Sequence, residues 1–182
     1  MSNLSHHESH VLALIGKWQP TTAYFVRKAL GQRLATDLSD SPGSVYPAIE
    51  RLKRAGLVTA TADESDARKT EHLRCTPAGE QAVRDWIVRI DARDALPEDP
   101  WRTRIAFVEK LDPVAARDWL FALRDTIEGT LAGLDDSRTP GVGIGAELEN
   151  AQARMVTAAR LAWVDQAIAS LARAALDPPA RD

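Results

Sequence analysis

Residues 41–58, SPGSVYPAIERLKRAGLV, decide how this chain is read. Val45, Ala48, Ile49 and Leu52 recur at i, i+3, i+4 and i+7, so they share one face of a helix and must pack inward. Gly56 stands where a left-handed residue would end that helix, and Leu57-Val58 begins an extended run. Pro47 is tolerated where its missing N–H has no helical acceptor, which predicts a helix start between Pro42 and Ser44. A rotation of about 100° per residue then places Gly43, Pro47, Glu50, Arg51 and Arg54 on the outer face, with Ser44 at its edge and Tyr46 and Lys53 flanking it. Small residues at the helix start let the backbone approach a partner, free amides there can bind a phosphate, and arginine forks suit phosphate or a guanine edge. Tyr46 and Lys53 suit phosphate contacts. The competing reading is a solvated face on which Glu50 and Arg54 form an i, i+4 ion pair.

Two helices are predicted upstream. Residues 8–16, ESHVLALIG, read as a short buried helix closed by Gly16. After the Pro20-Thr21-Thr22 turn and cap, Tyr24, Phe25, Ala29, Leu30 and Leu34 recur at helical spacing to about Ala35. Downstream, residues 57–62 and 70–75 read as strands joined by the charged loop DESDARK, a two-stranded ribbon. Thr76-Pro77 caps a fourth helix, with Ala82, Val83, Trp86, Ile87 and Ile90 on one face to about Ala95.

The order of three helices and a hairpin is that of a winged helix-turn-helix. The segments HVLALIG, Thr22-Ala23-Tyr24, SPGSVYPAIERLKRAGLV and LRCTPAGEQAVRDW resemble the PadR family of bacterial transcriptional regulators over residues 10 to about 90. Ser41, Gly43, Tyr46, Pro47, Ile49, Arg51 and Leu52 match the spacing of its S-x-G-x-x-Y-P-x-[LI]-x-R-L pattern. The resemblance implies double-stranded DNA as partner, with the third helix in the major groove and Tyr24 and Lys28 on phosphates. At the wing tip, Arg68 and Lys69 would reach a neighbouring groove. The wing departs from the family, since Asp63, Glu64 and Asp66 stand beside those two cations and Glu71-His72 replaces the usual aromatics.

LPEDP, 96–100, marks the boundary between a winged helix-turn-helix DNA-binding domain, 1–95, and a helical dimerisation domain, 96–182. The fold class expected is mainly α with a small two-stranded β wing. Helical patterns cover 101–111, about 113–134 and about 145–176, with Leu120, Leu123, Ile127, Leu131 and Leu134 forming one stripe. The last helix carries two stripes: Leu161, Val164, Ile168, Leu171 and Ala175 step by three and four, and Leu148, Met155, Ala162, Ala169 and Leu176 repeat every seven. Two stripes exceed what one antiparallel neighbour covers, which makes a homodimer through Leu148, Met155, Leu161, Val164, Ile168 and Leu171 the expected assembly. The alternative is a self-contained helical hairpin. Trp86, Trp101, Trp119 and Trp163 lie in or beside these helices and form a candidate pocket for a small aromatic effector, as the resemblance implies for some family members; tryptophan is otherwise ordinary core, as expected of Trp18.

The whole chain sets further bounds. It has 182 residues, 45% hydrophobic and 27% charged, which excludes a disordered chain or a fibre. Net charge is -3; residues 1–80 carry 10 basic and 9 acidic residues and the remainder 13 and 17, so any nucleic-acid contact relies on local placement and on paired domains. A single cysteine, Cys75, permits no internal disulfide, no apolar run approaches the ~20 residues that cross a bilayer, and MSNLSHHESH lacks a secretory apolar stretch; the expected location is the cytoplasm, with no membrane partner. No metal, cofactor or catalytic set is read: His6, His7 and His10 lack completing ligands and suit a solvated arm, His72 and Cys75 project to opposite faces of a strand, and GVGIG lacks a lysine and reads as an interhelical loop. Two function classes stand: a sequence-specific repressor acting as a homodimer on a near-palindromic operator, and a winged-helix protein-interaction module without DNA binding.

Overall fold

The computed structural model describes residues 4–32, 39–63, 70–136 and 143–176, and the chain divides into two compact units, Met1–Leu96 and Pro97–Asp182. The first unit runs α1 (His6–Trp18), α2 (Ala23–Gly31), α3 (Pro42–Arg54), β1 (Val58–Ala62), β2 (Glu71–Cys75) and α4 (Pro77–Ile87). Its core is made by Val11, Leu12 and Ile15 of α1, Val26 and Leu30 of α2, the stripe Val45, Ala48, Ile49 and Leu52 of α3, and Leu57, Val58 and Leu73. Burying each Leu, Ile or Val contributes about 1.5–3 kcal/mol, whereas a surface ion pair adds about 0–1 kcal/mol. The apolar stripe of α3 therefore decides which face turns outward.

The end of α3 is fixed by hydrogen bonds. Gly56, at φ 70°, donates to the Lys53 carbonyl (3.0 Å), and Leu57 donates to the Leu52 carbonyl (3.0 Å), with both leucines in the core. This is the Schellman closure that a left-handed glycine permits. β1 and β2 then pair antiparallel from Val58 opposite Cys75 to Ala62 opposite Glu71. Thr21 adds a one-residue bridge to Leu73, exchanging bonds of 3.1 and 2.7 Å. The side chain of Thr76 accepts from the Gly79 amide (3.1 Å) to start α4 and donates to the Gly56 carbonyl (2.8 Å), tying that helix to the end of α3.

The elements depart from expectation in several places. α1 begins at His6 because Ser5 and Glu8 form a capping box: the Glu8 amide donates to Ser5 Oγ (3.2 Å) and the Ser5 amide to Glu8 Oε2 (2.9 Å). It runs through Gly16 to Trp18, so Gly16 closes nothing; a Cβ there would stand 3.4 Å from Cys75 Sγ. His6, His7 and His10 are helical and not a solvated arm, with the His6 and His10 rings against Trp86 at 5.8 and 6.1 Å. Trp18 is 41% exposed, lying edge-on to Phe25 and not in the core. Pro47 sits in the second turn of α3, beyond the orphan amides, so the Gly43 carbonyl loses its helical donor.

α4 also stops early, at Ile87; Ala92–Ala95 forms a separate 3₁₀ turn, and Ile87 and Ile90 are exposed. The predicted end of the second helix near Ala35 and most of the wing loop lie outside the described residues.

In the second unit the expected helix over 101–111 is a short α5 (Pro100–Ile105) followed by a 3₁₀ turn, Val108–Lys110. Two long helices follow, α6 (Pro113–Asp136) and α7 (Ile144–Leu176). Leu120, Leu123, Ile127 and Leu134 of α6 and Val164 of α7 are buried, and Leu161 and Ile168 pack beside them. Arg124 of α6 clamps the seam, donating to Asp165 of α7 and to Glu128, both at 2.8 Å.

Candidate nucleic-acid interface

The inward stripe of α3 leaves its other side to solvent. Gly43, Tyr46, Pro47, Glu50, Arg51 and Arg54 are exposed, Tyr46 at 44%. On α2, Tyr24 is 60% exposed with the Arg27 guanidinium 5.6 Å from its ring centre, and Lys28 is exposed. The alternative of Tyr24 as a core aromatic is thereby removed, and Val26 fills the core instead. The side chains of Lys28, Tyr46 and Arg54 make no hydrogen bond or ion pair among the described residues.

The cations at the two flanks of α3 are held differently. Arg51 Nε donates to Glu8 Oε1, joining α3 to the first turn of α1. That bond, foremost, holds the Glu8 carboxyl below its ordinary pKa, helped by the Ser5 amide. Lys53 Nζ donates to Glu71 (2.9 Å) and to Glu50 (3.0 Å), joining α3 to β2; the Glu71 bond and then the Glu50 bond push its ammonium upward. Glu50 therefore pairs with Lys53 at i, i+3 and leaves Arg54 free, a correction to the i, i+4 pair weighed from the sequence. Ser44 is only partly open, its hydroxyl lying 2.8 Å from the Ser39 carbonyl and 2.9 Å from that of Ser41.

At the start of α3, Ser41 is the N-cap but its side chain bonds none of the helix amides. Pro42 has no N–H, so the Gly43 amide is the open donor at an exposed helix N-terminus. A helix start of this kind suits an anion, and the free Arg54 about three turns on suits phosphate or a base edge. Sequence reasoning missed the acidic partners Glu8 and Glu71. For Glu8 the signal was present, since Ser5-His6-His7-Glu8 spells the capping box that fixes its carboxylate. Arg68 and Lys69 lie outside the described residues.

Cys75 and His72 form no catalytic pair. Burial, and then the nearby Glu80 carboxylate, push the Cys75 thiol up to about 11, and its Sγ lies 3.6 Å from the Leu12 carbonyl. The Gln19 side chain spans the same region, accepting from the Cys75 amide (2.7 Å) and donating to Glu80 (2.8 Å).

The residues expected at a dimer seam separate into two sets. Leu161, Val164 and Ile168 pack against α6 of the same chain, a correction to their place at the seam, and Leu171 is half-buried. Leu148 and Met155 are 62% and 73% exposed, and Ala162 and Ala169 on the same heptad line are also exposed. Of the tryptophans, Trp101, Trp119 and Trp163 gather on the small core of Leu123, Ile127 and Val164, and Arg160 stacks 5.2 Å from the Trp101 ring while pairing with Asp99 (2.8 Å). Trp86 belongs to the first unit, where it borders a cleft of about 380 Å³ lined by His10, Leu14, Lys17, Glu80 and Val83.

Residues 11–85 match the model of the transcriptional regulator PadR-like family. No curated protein matches the chain. Among solved structures, Bacillus subtilis PadR in complex with operator DNA is similar at 17% identity with a TM-score of 0.77, over 90% of this chain and 98% of that one. The same PadR in complex with p-coumaric acid gives 17% and 0.74, over 90% and 97%. The Vibrio cholerae virulence activator AphA gives 17% and 0.69, over 92% and 98%. At these identities the likeness is one of fold, and across the described residues no helix is long and apolar enough to cross a membrane.

Proposed function

We propose that the chain is a sequence-specific DNA-binding regulator, a reading supported by the match of residues 11–85 to the model of PadR-like transcriptional regulators. In this reading it is a repressor that works as a homodimer on a near-palindromic operator. The observation that carries the reading is the outer side of α3, where an open Gly43 amide, Tyr46 and an unpaired Arg54 stand exposed, with Tyr24 and Lys28 exposed on α2. The N-terminal end of α3 enters the major groove, the α2 residues contact phosphates, and Arg54 contacts phosphate or a base edge. The exposed line of Leu148, Met155, Ala162 and Ala169 pairs two copies, so that two α3 helices meet successive turns of one duplex.

A small flat aromatic molecule is the proposed effector. It is supported by the tryptophans of the second unit and by the likeness of fold to a PadR crystallised with p-coumaric acid. Rigid indole faces can hold such a ligand, and occupancy would be read as a change in tryptophan fluorescence.

One observation favours the protein-interaction reading: Arg51 and Lys53 are already paired with carboxylates of their own chain, which weakens the field of α3. A salt titration separates the two. Fluorescence anisotropy with duplexes that the wild-type chain selects from a random pool should show affinity falling steeply as salt rises, with Arg54→Ala lowering the slope by about one per protomer. A chain that binds no duplex at low salt is an interaction module.

A further inference from the structure

Arg51 is held by only one of its five N–H donors. Its Nε–H goes to Glu8, while the terminal nitrogens meet no acceptor among the described residues and the side chain remains 49% exposed. Glu8 is 14% exposed, and its carboxylate cannot swing freely because Oε2 accepts the Ser5 amide at 2.9 Å. The neighbouring His7 Nε2 lies 3.1 Å from the Ser39 carbonyl in the loop that enters α3. The first turn of α1 thus grips the exposed helix at its entry and at its middle. A guanidinium bound at Nε keeps its two terminal NH₂ groups as a second fork, so it can face a carboxylate and another planar pair of acceptors at once.

We propose that Glu8 is a positioning residue for DNA recognition, holding Arg51 by its Nε edge so that the terminal fork is presented in fixed orientation to the duplex. This rests on the regulator reading above. The acceptors are the O6/N7 edge of a guanine or two oxygens of a backbone phosphate, which share the bidentate chemistry. Fixing the fork beforehand removes side-chain freedom that would otherwise be lost on binding, and the partly buried carboxylate neutralises part of the charge without occupying the outer donors.

The test is a double-mutant cycle of Glu8→Gln and Arg51→Ala on duplexes selected by the wild-type chain, with thermal unfolding of each variant followed in parallel. Glutamine at this position can still accept the Ser5 amide, so the cap survives. Glu8→Gln should weaken binding about fivefold in the wild-type background and have no further effect once Arg51 is alanine. A loss confined to duplexes carrying one particular guanine identifies a base edge; a uniform loss with a shallower salt dependence identifies a phosphate. Arg51→Lys, which keeps the charge and lacks the fork, should bind as poorly as Arg51→Ala, and supplies the test if Glu8→Gln lowers the unfolding midpoint. Equal losses in both backgrounds, no loss at all, or a lysine variant that binds like wild type would overturn the proposal while leaving the regulator reading intact. A wild-type chain that selects no duplex removes both.

Discussion

Gly79 and Gly56 show how differently two glycines can matter. A Cβ on Gly79 would lie 2.1 Å from the Leu57 carbonyl oxygen, so the approach of α4 to the start of the hairpin needs a residue without one. Gly56 has open space around its Cβ position but sits at φ +70°. Urea unfolding should therefore show Gly79→Ala destabilising by about 2–3 kcal/mol and Gly56→Ala by about 1 kcal/mol; the reverse ranking would contradict the packing described. The Cys75 thiol, held near 11 by burial and Glu80, should react with a thiol-specific disulfide reagent at pH 8 at least about tenfold more slowly in the folded protein than in the unfolded one. At this scale the sequence disclosed which residues face outward on α3, because helical periodicity needs only neighbours. It did not disclose that Glu8 holds Arg51 or that Glu71 holds Lys53, because these partners are 43 and 18 residues away and meet them only in the folded unit.

Elements were legible where local chemistry ends them. Pro42 and Gly56 delimit α3 by a missing donor and a left-handed turn, and Thr76-Pro77 starts α4 in the same way. Elements were misjudged where a residue's type did not decide its conformation: Gly16 lies inside α1 and does not end it, and the apolar period of α4 runs on past the residue where the helix stops. The junction of α1 and α3 through Glu8 and Arg51 also has an acid signature. The Glu8 carboxyl is held below its ordinary value of 4.5, chiefly by the Arg51 hydrogen bond, so its folded pKa is lower than its unfolded one. Such a group adds stability above the unfolded value, and that contribution disappears as pH falls through the folded value. The stability gap between wild type and Glu8→Gln should be full at pH 7 and should narrow progressively as pH falls below the ordinary glutamate value; a gap independent of pH would mean that the charge of Glu8 is immaterial to the junction.

The whole molecule poses the question of what the second helical stripe is for. Both stripes of α7 could be read from spacing, but only the folded unit shows that Leu161, Val164 and Ile168 meet α6 while Leu148, Met155, Ala162 and Ala169 remain exposed. No sequence pattern distinguishes an intrachain neighbour from a second copy, since both want the same apolar surface. If the exposed line joins two chains, Met155→Glu should give a monomer by sedimentation and weaken operator binding about a hundredfold or more; a variant that stays dimeric would place the seam elsewhere. The central claim is that two α3 helices read one duplex together, and hydroxyl-radical footprinting of the wild-type chain on a selected duplex tests it most directly. The account predicts two protected patches on one face of the DNA, about 10 bp apart or a multiple of it, whereas a single patch, or none, would contradict it.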